Sequence, residues 1–170
     1  MPVETQESPV TLKARIANPA VLMPDVMQGL LAVHKAVEHT GLSPKLLALV
    51  TLRASQINGC SVCVDMHWRD ARKAGDTDER IFAVAAWRDA PYFTAPERAA
   101  LDLTEALTRI ADRPDPVSDQ IYDEAAALFD QKQLLGLITA IAMINVWNRL
   151  NIATKQVAGE WLKSQAAAQR

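Results

Sequence analysis

Residues 43–75 read SPKLLALVTLRASQINGCSVCVDMHWRDARKAG, and this stretch decides the fold. Ser43-Pro44 has the form of a helix N-cap followed by proline at the first helical position. From Pro44 to Gln56, Leu46, Leu47, Leu49, Val50 and Leu52 leave no continuous polar face, and Ile57 follows. A helix that is apolar almost all round is expected to be buried. Asn58-Gly59 breaks the pattern. A second helix is expected from about Cys60 to Ala74, with Gly75 ending it.

The same period continues outward. Upstream, Val26, Met27, Leu30, Leu31, His34 and Val37 recur at helix spacing after Pro24, and Gly41 stops them. Downstream, Asp76 with Glu79 is expected to open a helix through Trp87, and Thr94-Ala95-Pro96-Glu97 is a capping box for a helix to about Asp112. Arg113-Pro114-Asp115-Pro116 is a turn. Ser118 is expected to cap a short helix to Phe129, and Asp130 to start a long one through Leu150. That last segment carries Leu134, Leu137, Ile141, Ile144 and Trp147 among others, enough apolar surface for both a core and a subunit interface. No alternating β-branched run has strand length. The expectation is an all-α, single-domain protein with an arm at residues 1–18, a helical domain at 19–155 and a tail at 156–170, whose end SQAAAQR is expected to fray.

Composition narrows the partners. The 170 residues are 49% hydrophobic and 22% charged, with net charge −2 and no basic cluster, which argues against a nucleic-acid partner. No apolar stretch is expected to cross a bilayer without polar interruption, so no membrane partner is expected. The start MPVETQESPV has neither an apolar run nor a basic n-region, and a cytoplasmic location is expected.

The chemistry concentrates in Gly59-Cys60-Ser61-Val62-Cys63, which holds both cysteines of the chain, with His67 four positions on. At the helical period Cys60, Cys63 and His67 fall at about 0°, 300° and 340°, on one face. A thiolate in a first turn is stabilised by unpaired N–H groups. A nucleophile, a resolving partner and a titratable base together suit sulfur redox chemistry. Competing readings are weaker. A structural disulfide this short constrains little unfolded-state entropy. C-x2-C-x3-H supplies three zinc ligands where a closed site wants four. Haem attachment needs His directly after the second cysteine, where Val64 stands. A pair of inert buried cysteines stays open.

Leu52 to His67, with Asp70-Ala71-Arg72-Lys73-Ala74-Gly75, resembles the AhpD-like alkylhydroperoxidase family of the carboxymuconolactone decarboxylase superfamily. Ala85-Ala86-Trp87-Arg88, Glu97-Arg98-Ala99-Ala100-Leu101 and Ile144-Asn145-Val146-Trp147-Asn148-Arg149-Leu150 are similar to the same branch, so the likeness runs over roughly residues 25–152. It implies a helical bundle assembling as a homo-oligomer, trimer or hexamer. It further implies hydroperoxide reduction without metal, haem or flavin, with Cys63 as the attacked thiolate, Cys60 as the resolving thiol and His67 in the proton relay. A lipoyl dithiol or thioredoxin-like protein would be the reductant. Two positions depart from the family pattern. Ala48 stands where well-studied members carry a relay glutamate, and Val62 where they carry a histidine. A carboxylate for His67 could then come from elsewhere, such as Glu38 or a neighbouring subunit. A redox-sensing oligomer without fast turnover, and the lactone-decarboxylase branch, are the alternatives.

Of the remaining residues, His34 is expected in the core or an interface, and His39 at a helix C-terminus. Trp68, Trp87 and Trp147 are expected to pack, and Asn58 to shape the Gly59 turn and cap the cysteine helix.

Overall fold

The structure, a computed structural model, describes residues 10–162. Residues 1–9 of the expected arm and the SQAAAQR end lie outside the described residues. Within them the chain forms α1 (Pro19–Leu22), α2 (Pro24–Glu38), α3 (Pro44–Asn58), α4 (Ser61–Lys73), α5 (Asp78–Ala83), a 3-10 turn (Val84–Ala86), α6 (Ala95–Thr108), α7 (Asp119–Ala126) and α8 (Gln131–Thr154). No strand occurs among the described residues, and the fold is all-α.

The apolar helix α3 is the hub, as its composition requires. Ser43 Oγ accepts from Leu46 N, Pro44 occupies the first turn, and Leu49, Val50 and Ala54 are fully buried. One side of α3 meets α6 and α8 through Val50, Leu103, Leu137 and Ile141. Another meets α4 and the segment around Trp87 through Leu49, Leu52, Ala71 and Val84. A third, smaller cluster joins Ala54 and Ile144 to Cys60, Val62 and Cys63. Gly59 sits at φ +71, a left-handed turn that lets α4 fold back along α3. Gly136 lets α8 approach α2, since a Cβ there would lie 2.7 Å from Thr40.

Capping explains most boundaries. Thr94 with Glu97 and Asp130 with Gln133 form complete capping boxes at the starts of α6 and α8. Four expectations shift. The helix after Gly75 is capped by Thr77, not Asp76, and stops at Ala83 before the 3-10 turn. The Asp76 carboxylate is instead buried between Lys45 and Arg80, at 3.2 and 2.6 Å, and an ion pair of that kind outcompetes a capping role. Helix α6 ends at Thr108, four residues short of Asp112, and α7 ends at Ala126. Helix α8 continues past Leu150 to Thr154.

Helix α2 differs from its sequence pattern. Only Val37 is buried; Val26, Leu31 and His34 face outward, and His34 Nε2 lies 3.7 Å from Glu38. The core position expected for His34 is therefore not occupied within one chain. Helix α8 corrects a second expectation. It is long and apolar enough, at mean hydropathy 1.2, to cross a membrane by length and composition. Here it lies against α2, α3 and α6, and buries Asn145 and Asn148 in side-chain hydrogen bonds.

Candidate functional site

The site grows from the Gly59 turn. Cys60 is the N-cap of α4, and its N–H donates to Ser55 O at 3.0 Å. Cys63 is the third residue of the helix, where backbone N–H groups have no intrahelical acceptor and carry the positive end of the helix dipole. Both cysteines are free, and their sulfurs are in hydrogen-bond contact at 2.7 Å. Exposure is 1% for Cys60 and 2% for Cys63.

The two thiols are not equivalent. Cys63 is drawn down to about 6, first by the hydrogen bond from Cys60, against the opposing effect of burial, and with help from Asn151, Asn148 and the charge of His67. The shared hydrogen bond and burial push the Cys60 thiol up. Cys63 is thus the sulfur that ionises, and Cys60 the one that keeps its proton. The amides of α8 add to this polarity, since Asn148 acts on both sulfurs but Asn151 donates to Cys63 alone.

His67 lies one turn further along α4, and its Nδ1 is 3.1 Å from Asp70 Oδ2. Asp70 is thus a carboxylate partner for His67 beyond the residues expected from the sequence. His67 and Asp70 line a cavity of about 610 Å³ together with Ala48, Thr51, His34 and Glu38. The position that departs from the family pattern, Ala48, is therefore in the wall of the hollow that His67 faces. Glu38 reaches the same cavity, but its ion-pair partner is His34.

Three further residues come from distant parts of the chain. Asn151 Nδ2 donates to Cys63 Sγ at 3.4 Å. Asn148, fully buried, donates to Ser55 Oγ at 3.1 Å and accepts from Asn58 at 2.8 Å. Asn58 also donates to Asn145 at 2.9 Å, so it ties α3 to α8 rather than capping α4. Trp161 packs over the cysteine cluster beside Met66 and Trp147, and its Nε1 donates to Asp65 Oδ2 at 3.1 Å. Burial opposes the Asp65 charge, but hydrogen bonds from Arg69, Trp161 and Trp68 outweigh it and hold the carboxyl below its usual range. Trp68 is half-buried against Arg69, and Trp87 is buried with Nε1 on Glu105. Among the described residues no group of three or more His, Cys, Asp or Glu side chains could hold a metal ion.

Comparison with known proteins places this arrangement among relatives. A model of the carboxymuconolactone decarboxylase family matches residues 24–106. The chain is 35% identical over 132 residues to the uncharacterized protein YdfG of Bacillus subtilis, covering 78% of this chain and 88% of that one. It is 35% identical over 113 residues to the uncharacterized protein YnjA of Escherichia coli, covering 66% of this chain and 60% of that one. A crystal structure from Agrobacterium tumefaciens, of a protein of unknown function suggested to be the antioxidant defence protein AhpD, superposes with TM-score 0.80 at 34% identity. The match covers 86% of this chain and 98% of that one. The debrominase Bmp8 shares the fold at TM-score 0.67 and 19% identity, over 79% of this chain and 72% of that one.

Proposed function

Since the chain belongs to the carboxymuconolactone decarboxylase family, in its AhpD-like group, we propose that it is a thiol-dependent peroxidase that reduces hydroperoxides through Cys63 and Cys60. The observation that carries this reading is the polarised pair: a Cys63 sulfur at a helix N-terminus, drawn down to about 6, in contact with a protonated Cys60. At neutral pH such a sulfur is a thiolate, which is the species that peroxide oxidises.

Cys63 gives its proton to His67, which Asp70 orients through Nδ1. The thiolate attacks one peroxide oxygen; an S–O bond forms, the O–O bond breaks, and the leaving alkoxide takes the proton from His67. Cys63 is now a sulfenic acid, oxidised by two electrons. The Cys60 sulfur then attacks it; the S–S bond forms, the S–O bond breaks, and the departing hydroxide takes the Cys60 proton to leave as water. An external dithiol, lipoyl or carried by a thioredoxin-like protein, returns two electrons and two protons by disulfide exchange. The exposed apolar side chains Val26 and Leu31 on α2 and Leu135 on α8 support a homo-oligomer. Use of a reducible dithiol is compatible with a reducing, cytoplasmic setting.

The burial of both sulfurs favours a second reading, a redox switch oxidised without fast turnover. One assay separates the two: peroxide consumption with a dithiol reductant, beside a Cys63→Ser variant. Multiple turnovers that vanish in the variant support the peroxidase. Stoichiometric oxidation to one disulfide, with no further consumption, supports the switch. Two thiols left free by peroxide in folded protein would remove both readings.

A further inference from the structure

We propose that Asn151 is a catalytic residue of the thiol centre: its side-chain amide, delivered by the last turns of α8, donates to the Cys63 sulfur and holds the negative charge there while that sulfur acts as nucleophile. The inference rests on the sulfur chemistry proposed above, and on no property of the peroxide.

The Cys63 sulfur is almost fully enclosed, and an enclosed anion needs donors. Along α4 these are Cys60 and the charge of His67. From α8 they are Asn151, 3.4 Å from the sulfur, and Asn148 one turn earlier. From the C-terminal segment the neighbour is Trp161, whose N–H is turned away to Asp65. None of the ion pairs among the described residues includes Asn151 or reaches the sulfurs, so the charge is met by neutral donors and one histidine.

The amide ladder explains how Asn151 is held in place. Asn148 is clamped on both sides, by Ser55 and Asn58, and Asn58 also grips Asn145. These bonds fix the rotation of α8 against the end of α3. With that rotation fixed, the next inward-facing amide, Asn151, falls on Cys63 at the start of α4. Asn148 therefore positions Asn151 besides acting on the thiol pair itself, and Asn151 touches the reacting atom.

An amide suits this place better than a charged donor. It has no proton to lose near neutral pH, so it cannot quench the thiolate. A fixed ammonium would also hold the charge more tightly and depress nucleophilicity, which falls along with thiol pKa. When the sulfur becomes a sulfenate the same N–H can follow the charge onto the new oxygen.

The test uses a Cys60→Ser background, in which a single thiol titrates, with Asn151→Ala or Asn151→Asp added. Thiolate absorbance in the ultraviolet and the rate of alkylation by iodoacetamide are followed against pH, with circular dichroism as the folding control. Loss of one hydrogen bond to a charged group should raise the midpoint by about one pH unit in Asn151→Ala. Asn151→Asp, which sets an anion against the sulfur at nearly constant size, should raise it further. Unchanged midpoints in both folded variants overturn the assignment. If only one variant folds, its midpoint decides. The readout needs no peroxide. A moved midpoint in a protein that consumes no peroxide would sustain the donor role of Asn151 and end the peroxidase reading. An unmoved midpoint in an active peroxidase would do the reverse.

Discussion

Helix α3 separates two buried polar clusters that are built on opposite rules. On one side Arg53 reaches Glu105, whose carboxylate also accepts from Trp87 at 2.9 Å and Arg88 at 2.5 Å. Burial opposes that charge, but the donors from Trp87, Arg88 and Arg53 outweigh it and keep Glu105 ionised. On the other side Asn151 and Asn148 bond the thiol pair with neutral amides, and Ser55, Asn58 and Asn145 hold those amides in a ladder. The Glu105 cluster pairs opposite charges around a permanent ion, so it holds helices together and has nothing left to react. The thiol cluster supplies mostly neutral donors, with the charge of His67 as its one counter-charge, so its ionisable sulfur stays free to change state. Adjacent residues, Arg53 and Ala54-Ser55, feed the two clusters from different faces of one helix.

The division can be broken most sharply at Glu105. Glu105→Ala would leave Arg53 without its carboxylate, while Arg88 keeps Asp102, and breaking a buried pair costs roughly 3–5 kcal/mol. Urea denaturation should show a loss of that size, while the alkylation rate of Cys63 in the folded fraction stays as in the parent. A parallel fall in thiol reactivity would show that the clusters are one unit.

The next effect is on pH. With a folded midpoint of about 6 against an ordinary 9.0, Cys63 is a thiolate above the midpoint and a thiol below it. Alkylation should be flat above neutrality and fall about tenfold per pH unit below the midpoint. A rate still climbing through pH 8 would mean that the neutral donors do not depress the thiol.

A smaller effect is expected at Trp161, which covers the thiol cluster but belongs to a short C-terminal segment. Short segments with little buried surface open at low cost. Trp161→Ala should speed the reaction of the thiols with a bulky aromatic disulfide by about tenfold, equivalent to about 1.4 kcal/mol less opening work. Trp161→Phe, which keeps the ring but not the bond to Asp65, should fall between the two.

The smallest change is foreseen for Ala48→Glu. The new carboxylate would enter the cavity that His67 already shares with Asp70. Peroxide-driven oxidation near neutral pH should rise, by well under the ~10²-fold that a full general base supplies. Stability should be measured beside it, because a carboxylate placed there without a partner is costly. No rise in a folded variant whose Glu docks beside His67 would show that proton transfer does not limit the reaction.

Much of this was legible from local pattern. Ser43, Thr94 with Glu97, and Asp130 with Gln133 mark helix starts because capping is a contact over three residues. His67 follows Cys63 by one turn of α4 because helical geometry is fixed, whereas Cys60 is the extended N-cap, to which the helical period does not apply. What escaped is non-local. Asn151 meets Cys63 across 88 positions and Trp161 meets Asp65 across 96, and no periodicity distinguishes these side chains from other surface amides or aromatics. Asp70 was within reach of local reasoning, since a residue three positions after His67 stacks on it in a helix. Asp76 misled because its capping pattern was genuine, yet two cations from elsewhere claimed its carboxylate.

Arg15 donates its backbone N–H to Thr154 O at 2.8 Å and its guanidinium to Ala153 O at 3.0 Å, while Gln156 donates to Ile16 O at 3.2 Å. The path into the bundle and the path out of it are thereby clasped together, a few residues from Asn151. Joining them with a short linker and recutting the chain in the exposed turn near Arg113 would yield a circular permutant with the same helices in a new order. The same clasp makes either strand of it a mooring point: cargo fused there, such as a dithiol carrier, would be held at high local concentration beside the sulfurs rather than at the far end of the bundle.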